Sequence, residues 1–104
     1  MVDSVHFSEV MYQPAKPGAG FIELHNRSTQ TAFDLSGWRL EGVDFTFPPG
    51  SFLPPAGYLV VAENAFAFNA TYGPLVRIAG VYSGRLDPGG ESLRLVRARN
   101  PPYA

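Results

Sequence analysis

The stretch from 21 to 40 constrains the fold of this chain most, because two apolar runs flank a short polar turn. The first run, FIELHN at 21–26, contains β-forming residues and follows a glycine-rich break. Residues 26–31 are polar and favour a turn, and the second run, 33–40, carries the only tryptophan, Trp38. A strand, a turn and a second strand with a large aromatic residue are typical of a β-sandwich.

Frequent glycine and proline residues keep every predicted element short. Together they make up 21 of the 104 residues, with no collagen-like period and no low-complexity block. The length fits a single domain covering residues 1–104, and an apolar share of 45% is enough for a real core. We therefore predict an all-β fold of mainly antiparallel short strands, in which Trp38 and Val60 interlock between two stacked sheets.

The middle of the chain favours one central strand and one helix. Residues 58–62 are apolar throughout, so we expect a strand buried on both faces. The helix is predicted near 65–72, because Asn64 is a suitable N-cap and a Gly-Pro pair follows. Two turns of helix are marginal alone, so Phe66 and Phe68 are expected to pack on the sandwich.

The first strand is predicted at 5–12, where apolar and polar residues alternate. Val5, Phe7 and Met11 are expected to share one face. A switch in the pattern near residues 9 and 10 predicts a β-bulge there.

Charge and cysteine content exclude several classes of function. A net charge of −1 does not predict strong attraction to nucleic acid or acidic membranes, although residues 1–63 carry −4 and residues 64–104 carry +3. The absence of cysteine excludes disulfides, thiolate zinc sites and cysteine nucleophiles. No apolar run reaches membrane-spanning length and no signal peptide begins the chain, so an exported parent protein would make this an excised piece.

Four sequence blocks, taken together, resemble the lamin tail domain in its bacterial form. They are FIELHN at 21–26, DLSGWRL at 34–40, FTFPPGSFLPPAGYLVVAEN at 45–64 and SGRLDPGGESLRLV at 83–96. The blocks occur in the expected order and the resemblance covers about residues 5–96. It implies an immunoglobulin-like β-sandwich.

The resemblance also implies a module without catalytic residues or cofactors. We expect a binding or structural module of a larger exported or surface bacterial protein, which mediates protein–protein contact or surface attachment. An extracellular or cell-surface location follows from the same resemblance. It carries structural roles onto Glu23, Asn26, Gly37, Trp38, Gly57, Gly89 and Gly90.

The end of the chain departs from the family pattern. A hairpin turn is predicted at 87–90 and an alternating strand at 91–97, but a proline-rich segment follows where the family usually continues with another strand. A missing strand would leave an unpaired sheet edge. Another chain, including a second copy in a homodimer, is expected to fill such an edge by strand addition.

The side chains that are candidates for catalysis or metal binding are expected to have structural roles. Glu23 has no second acid at a defined spacing, so a strand carboxylate bonded to a neighbour is favoured over a catalytic one. His6 and His25 are placed to meet across adjacent strands, but no third ligand stands at a metal-binding spacing. Ser36 lacks the second glycine of a nucleophile elbow. We therefore predict no enzyme and no metal site.

Two alternatives to a protein-binding role stay open. Arginines near the C-terminus are candidate partner contacts and would form the basic face of a nucleic-acid-contacting module: Arg85, Arg94, Arg97 and Arg99. Such a module would bind DNA with a steep salt dependence, which is lost when Arg94 and Arg97 are replaced. A carbohydrate-binding module is suggested only by the architecture and aromatic loops.

Overall fold

A computed structural model of the chain describes residues 4–12, 16–84 and 93–98. These residues form nine strands and one helix. In chain order they are β1 (Val5–Met11), β2 (Phe21–Asn26), β3 (Phe33–Asp34), β4 (Arg39–Glu41), β5 (Phe45–Thr46), β6 (Phe52–Leu53), β7 (Tyr58–Ala62), α1 (Ala65–Tyr72), β8 (Ile78–Val81) and β9 (Arg94–Val96).

The described strands form two layers. One layer is a four-stranded sheet in the order β1-β2-β7-β8, in which β8 runs parallel to β7 and the other pairs are antiparallel. The other layer consists of a β3-β6 pair and a three-stranded sheet in the order β5-β4-β9. The prediction of an all-β sandwich with one short helix is therefore confirmed. The predicted 91–97 strand is represented by β9, and the predicted turn at 87–90 lies outside the described residues.

The main core lies between the two layers. The four-stranded sheet contributes Val5, Ile22, Leu24, Leu59 and Val61, and the second layer contributes Leu35, Trp38, Leu40, Phe47 and Leu53. Trp38 belongs to this core, as expected. The prediction for Val60 is wrong, because it faces away from the second layer into a separate cluster with Phe21, Ala62 and Phe68.

A β-bulge in β1 decides which side chains of this strand reach the core. The register with β2 shifts between Phe7 and Glu9, slightly before the predicted position. One extra residue reverses the alternation, so Val10 packs against the main core and Met11 packs against the second cluster. The prediction that Met11 shares a face with Val5 is therefore wrong.

The second apolar run, 33–40, is interrupted around Ser36-Gly37. It forms the short strands β3 and β4, separated by a turn in which Gly37 has φ +82°. A positive φ is strained for other residues, which explains glycine here. The Gly37 N–H donates to the Phe47 carbonyl at 2.9 Å, so the turn also joins two parts of the second layer.

Helix α1 occupies Ala65–Tyr72, as predicted. The Asn64 side chain caps it by accepting a hydrogen bond from the Ala67 N–H at 2.9 Å. Phe68 is buried against the sheet, but Phe66 is 84% exposed. The expectation that both phenylalanines pack on the sandwich is therefore wrong for Phe66.

The side chain of Asn26 is fully buried at the end of β2. Its amide nitrogen lies 2.7 Å from the Thr31 carbonyl, 3.1 Å from that of Pro54 and 3.3 Å from that of Leu53. Its side-chain oxygen accepts the Ser28 N–H at 2.9 Å. One carboxamide therefore joins β2, the turn after it, and the β6–β7 connection.

We predict that Asn26→Asp lowers the free energy of unfolding by about 3 kcal/mol or more at pH 7, because a buried carboxylate would face carbonyl oxygens. These surroundings raise the pKa of the introduced carboxyl in the folded state. The deficit is therefore smallest below about pH 4 and grows as pH rises through the raised pKa. Urea unfolding of both proteins across this range measures it. Asn69→Asp on α1 is the control, and equal deficits at all pH values would contradict the prediction.

Tyr82, directly after β8, is another buried side chain that carries a polar group. It is 5% exposed, and its backbone N–H donates to the Ala62 carbonyl at 3.0 Å. Burial, helped by the negative charge of Glu63, raises the pKa of the Tyr82 phenol to about 12. The phenolate is therefore disfavoured in the folded state.

We predict that this phenol makes stability fall at alkaline pH. The unfolded chain ionises Tyr82 near its ordinary pKa of about 10, so its contribution is complete below that pH and declines toward pH 12. Because water partly screens the phenolate, the loss stays below about 3 kcal/mol, and Tyr82→Phe removes it. Unfolding at stepped pH, with phenolate absorbance recorded in parallel, checks this. Tyr58→Phe, at an exposed position, is the control and retains the decline.

Candidate interaction surface

The face of the four-stranded sheet turned away from the main core carries three rows of side chains across β1, β2 and β7. We call it the outer face. Strand register places His6, His25 and Tyr58 in the first row, Glu9, Glu23 and Val60 in the second, and Met11, Phe21 and Ala62 in the third. The alternation of each strand fixes these rows, because residues two apart share a face.

Helix α1 covers the third row and leaves the first one open. The ring of Phe21 contacts Phe68 and Tyr72 edge to face, with centroid distances of 5.5 and 5.3 Å. Phe68 and Tyr72 also contact each other at 4.8 Å. This aromatic cluster attaches α1 to the sheet. It stabilises the short helix in addition to the hydrogen bonds of the helix caps.

The first row consists of aromatic rings in mutual contact. His25 stacks on Tyr58 at 4.2 Å and meets His6 edge to face at 5.4 Å. Arg27 Nε donates to His6 Nδ1 at 3.2 Å. The two histidines thus meet across adjacent strands, and the described residues hold no group of three metal-ligating side chains. Tyr58 is 53% exposed, so the expectation that 58–62 is buried on both faces is wrong at this residue.

A cavity of about 240 Å³ lies at the step between α1 and the open part of the outer face. Its aromatic wall includes Phe21, Phe68 and Tyr72, and Glu9 and Glu23 contribute carboxylates. The Ser8 hydroxyl donates to Glu23 Oε1 at 2.8 Å. The cavity therefore combines an apolar wall with acidic groups.

Most of the exposed apolar side chains come from one stretch of the sequence. The described residues include eight large apolar side chains that are exposed, and five of them lie between 66 and 81: Phe66, Tyr72, Leu75, Val76 and Val81. We call these five residues the 66–81 surface. Leu75 is 96% exposed. Large apolar side chains left in water on neighbouring elements mark a candidate interaction site.

A second cavity, of about 410 Å³, opens between β1 and β9. Val5, Phe7, Trp38 and Leu95 provide its apolar lining, and Arg94 and Arg97 lie at the same site. Arg97 places its guanidinium 5.8 Å from the Trp38 ring centroid, which suits a cation–π contact.

Arg94 is already engaged within the chain. Its Nη2 donates to Glu41 Oε1 at 2.7 Å, and Arg39 lies 3.2 Å from the other oxygen of that carboxylate. The hydrogen bond from Arg94 is the main cause that holds the pKa of Glu41 below its ordinary value. The charge of Arg94 is therefore partly offset before any partner binds.

The structure distributes the residues singled out from the sequence over separate places. Glu23 lies in the outer face and Asn26 at the end of β2. Gly37 lies in the β3–β4 turn, and Gly57 lies in the turn before β7, where its N–H donates to the Pro54 carbonyl at 2.9 Å. The remaining ones, Arg85, Arg99, Gly89 and Gly90, lie outside the described residues.

The outer face was not predicted as a unit from the sequence. Glu9 and Tyr58 were not singled out, although each stands directly beside a residue that was, Glu23 or His25. The signal that links them is the register of three antiparallel strands. That register becomes visible only after the bulge in β1 is located at Ser8.

The comparisons with known proteins identify one family. A model of the Lamin Tail Domain matches residues 2–100, nearly the whole chain. The family is one of immunoglobulin-like domains that are not catalytic. None of the curated proteins or solved structures matches. No helix in the described parts of the chain is long and apolar enough to cross a membrane.

Proposed function

We propose that this chain, which belongs to the lamin tail domain family, is a non-catalytic module that binds a protein partner through the 66–81 surface. The module is immunoglobulin-like. The observation that carries the proposal is the concentration of exposed apolar side chains on α1, β8 and the turn between them. Covering such groups removes apolar area from water and favours association.

The composition of α1 supports a contact on its solvent side. One side of the helix packs Phe68 on the sheet, while Phe66 points into solvent on another side. Its sequence, AFAFNATY, contains no charged residue. Surface helices usually present a charged or polar face to water, and an apolar face there suits a buried interface.

The edge of the sheet at β8 supports the same location. Strand β8 is last in the order of the described four-stranded sheet, and its residues, IAGV, include no charge and no proline. Charged residues and proline usually protect an edge strand from pairing with another chain. Since β8 has neither, it is suited to strand addition. A homodimer formed by paired β8 edges is one form that this contact can take.

The proposal extends to the parent protein. We place the module in a larger exported or surface bacterial protein, where it attaches that protein to its partner. The support is the resemblance of the four sequence blocks to bacterial lamin tail domains. The basic-face alternative receives less support, because Arg94 is engaged by Glu41.

We predict that Phe66→Ser/Leu75→Ser weakens partner binding by about 10- to 100-fold, because both side chains would be buried in the complex. Both are exposed in the free module, so the variant is expected to retain its melting temperature. Affinity capture from extracts of the source organism, followed by titration with the recovered partner, measures the effect. Sedimentation velocity tests the homodimer in the same samples.

Phe52→Ser is the matched control, since Phe52 is a 53% exposed aromatic residue on β6 in the other layer. It is expected to bind like the unmodified protein. A partner bound equally by all three proteins, or lost only with the Phe52 variant, would place the contact elsewhere and refute the proposal.

A further inference from the structure

We propose that the cavity between α1 and the outer face receives a lysine side chain of the bound polypeptide. This inference rests on the proposed function and specifies the chemistry of its partner. Tyr72 and Val76 line the cavity and also belong to the 66–81 surface. A polypeptide on that surface is therefore adjacent to the opening.

On the acidic side of the cavity, two glutamates of like charge lie opposite each other on neighbouring strands. Glu9 and Glu23 are direct cross-strand partners, and like charges in this position destabilise a sheet. Both salt bridges among the described residues involve Glu41, so neither of these two carboxylates is neutralised there. Ser8 donates one hydrogen bond to Glu23. A cation placed between the two carboxylates would relieve the repulsion.

The aromatic side of the cavity selects among cations. Phe21, Phe68 and Tyr72 form a wall suited to a methylene stem, and aromatic rings also attract an ammonium group. A metal ion such as Ca²⁺ needs roughly six to eight oxygen ligands. Two carboxylates beside an apolar wall do not supply them. The features therefore fit an organic cation on an apolar chain.

The volume of the cavity and the positions of its two carboxylates favour a single lysine side chain. The volume of about 240 Å³ is below the roughly 300–1,000 Å³ of sites for drug-sized molecules. An ammonium group has three donors that can point to different acceptors, whereas a guanidinium forms a planar fork suited to one carboxylate. Two opposed carboxylates on neighbouring strands match the ammonium.

The test uses the free module and Nα-acetyl-lysine N-methylamide as the probe, with the norleucine analogue as a control that lacks the charge. In ¹⁵N-resolved NMR titrations we expect saturable shifts at Glu9, Phe21, Glu23 and Tyr72 with the lysine probe alone. Added salt weakens the binding. Equal shifts with both probes, or no saturable shift below about 50 mM, would overturn the proposal.

Glu9→Gln/Glu23→Gln separates a binding role from a structural one. We expect lysine binding at least about tenfold weaker, with a melting temperature about 2 °C higher because the like-charge pair is gone. Glu41→Gln, with one similar charge change on the other sheet, leaves probe binding unchanged. Unaltered binding in the double variant would refute the lysine site.

Failure of this inference is distinguishable from failure of the proposed function. The probe reports on the cavity without any partner, while Phe66→Ser/Leu75→Ser reports on the surrounding surface. Partner capture that depends on Phe66 and Leu75 but not on Glu9 and Glu23 would retain the interaction module and reject the lysine site.

Discussion

The buried carboxamide of Asn26 is the interaction on which the arrangement of the outer face depends. It ends β2 and bonds to the connection that leads into β7, so it stabilises these two strands side by side in one register. The register in turn aligns His25 with Tyr58 and Glu23 with Val60. A slip of one residue would exchange core and solvent faces along the strand. The rows of the outer face thus depend on a buried polar group at the end of β2.

Much of the fold followed from local signals that act over a few residues. Glycine and proline breaks limited the strands, the β-forming residues in 21–26 identified β2, and Asn64 marked the start of α1. These signals work because turn chemistry and capping are properties of the backbone near each residue. They do not report which face of an element another element will cover.

Which side chains are exposed was harder to predict for that reason. Phe66 and Phe68 are equally apolar, but only Phe68 meets Phe21 across the sheet, and nothing local distinguishes them. Met11 changed faces because one bulged residue reversed the alternation after Phe7. The partnership of Arg94 with Glu41 joins residues 53 positions apart. Each outcome depends on long-range pairing, which a single sequence shows only indirectly.

Two acidic sites in the same sandwich differ in how far nearby cations offset their negative charge. Glu41 also lies on a strand of the sandwich, and two arginines, one of them on a neighbouring strand, offset its charge. Glu9 and Glu23 face each other beside an aromatic wall, and within the described parts of the chain a serine hydroxyl donates to one of them. Surface charges that serve only solubility can separate freely in water, whereas these two are held opposite each other by strand pairing. Repulsion retained at an apolar cavity is accounted for if a cation from another molecule completes the site.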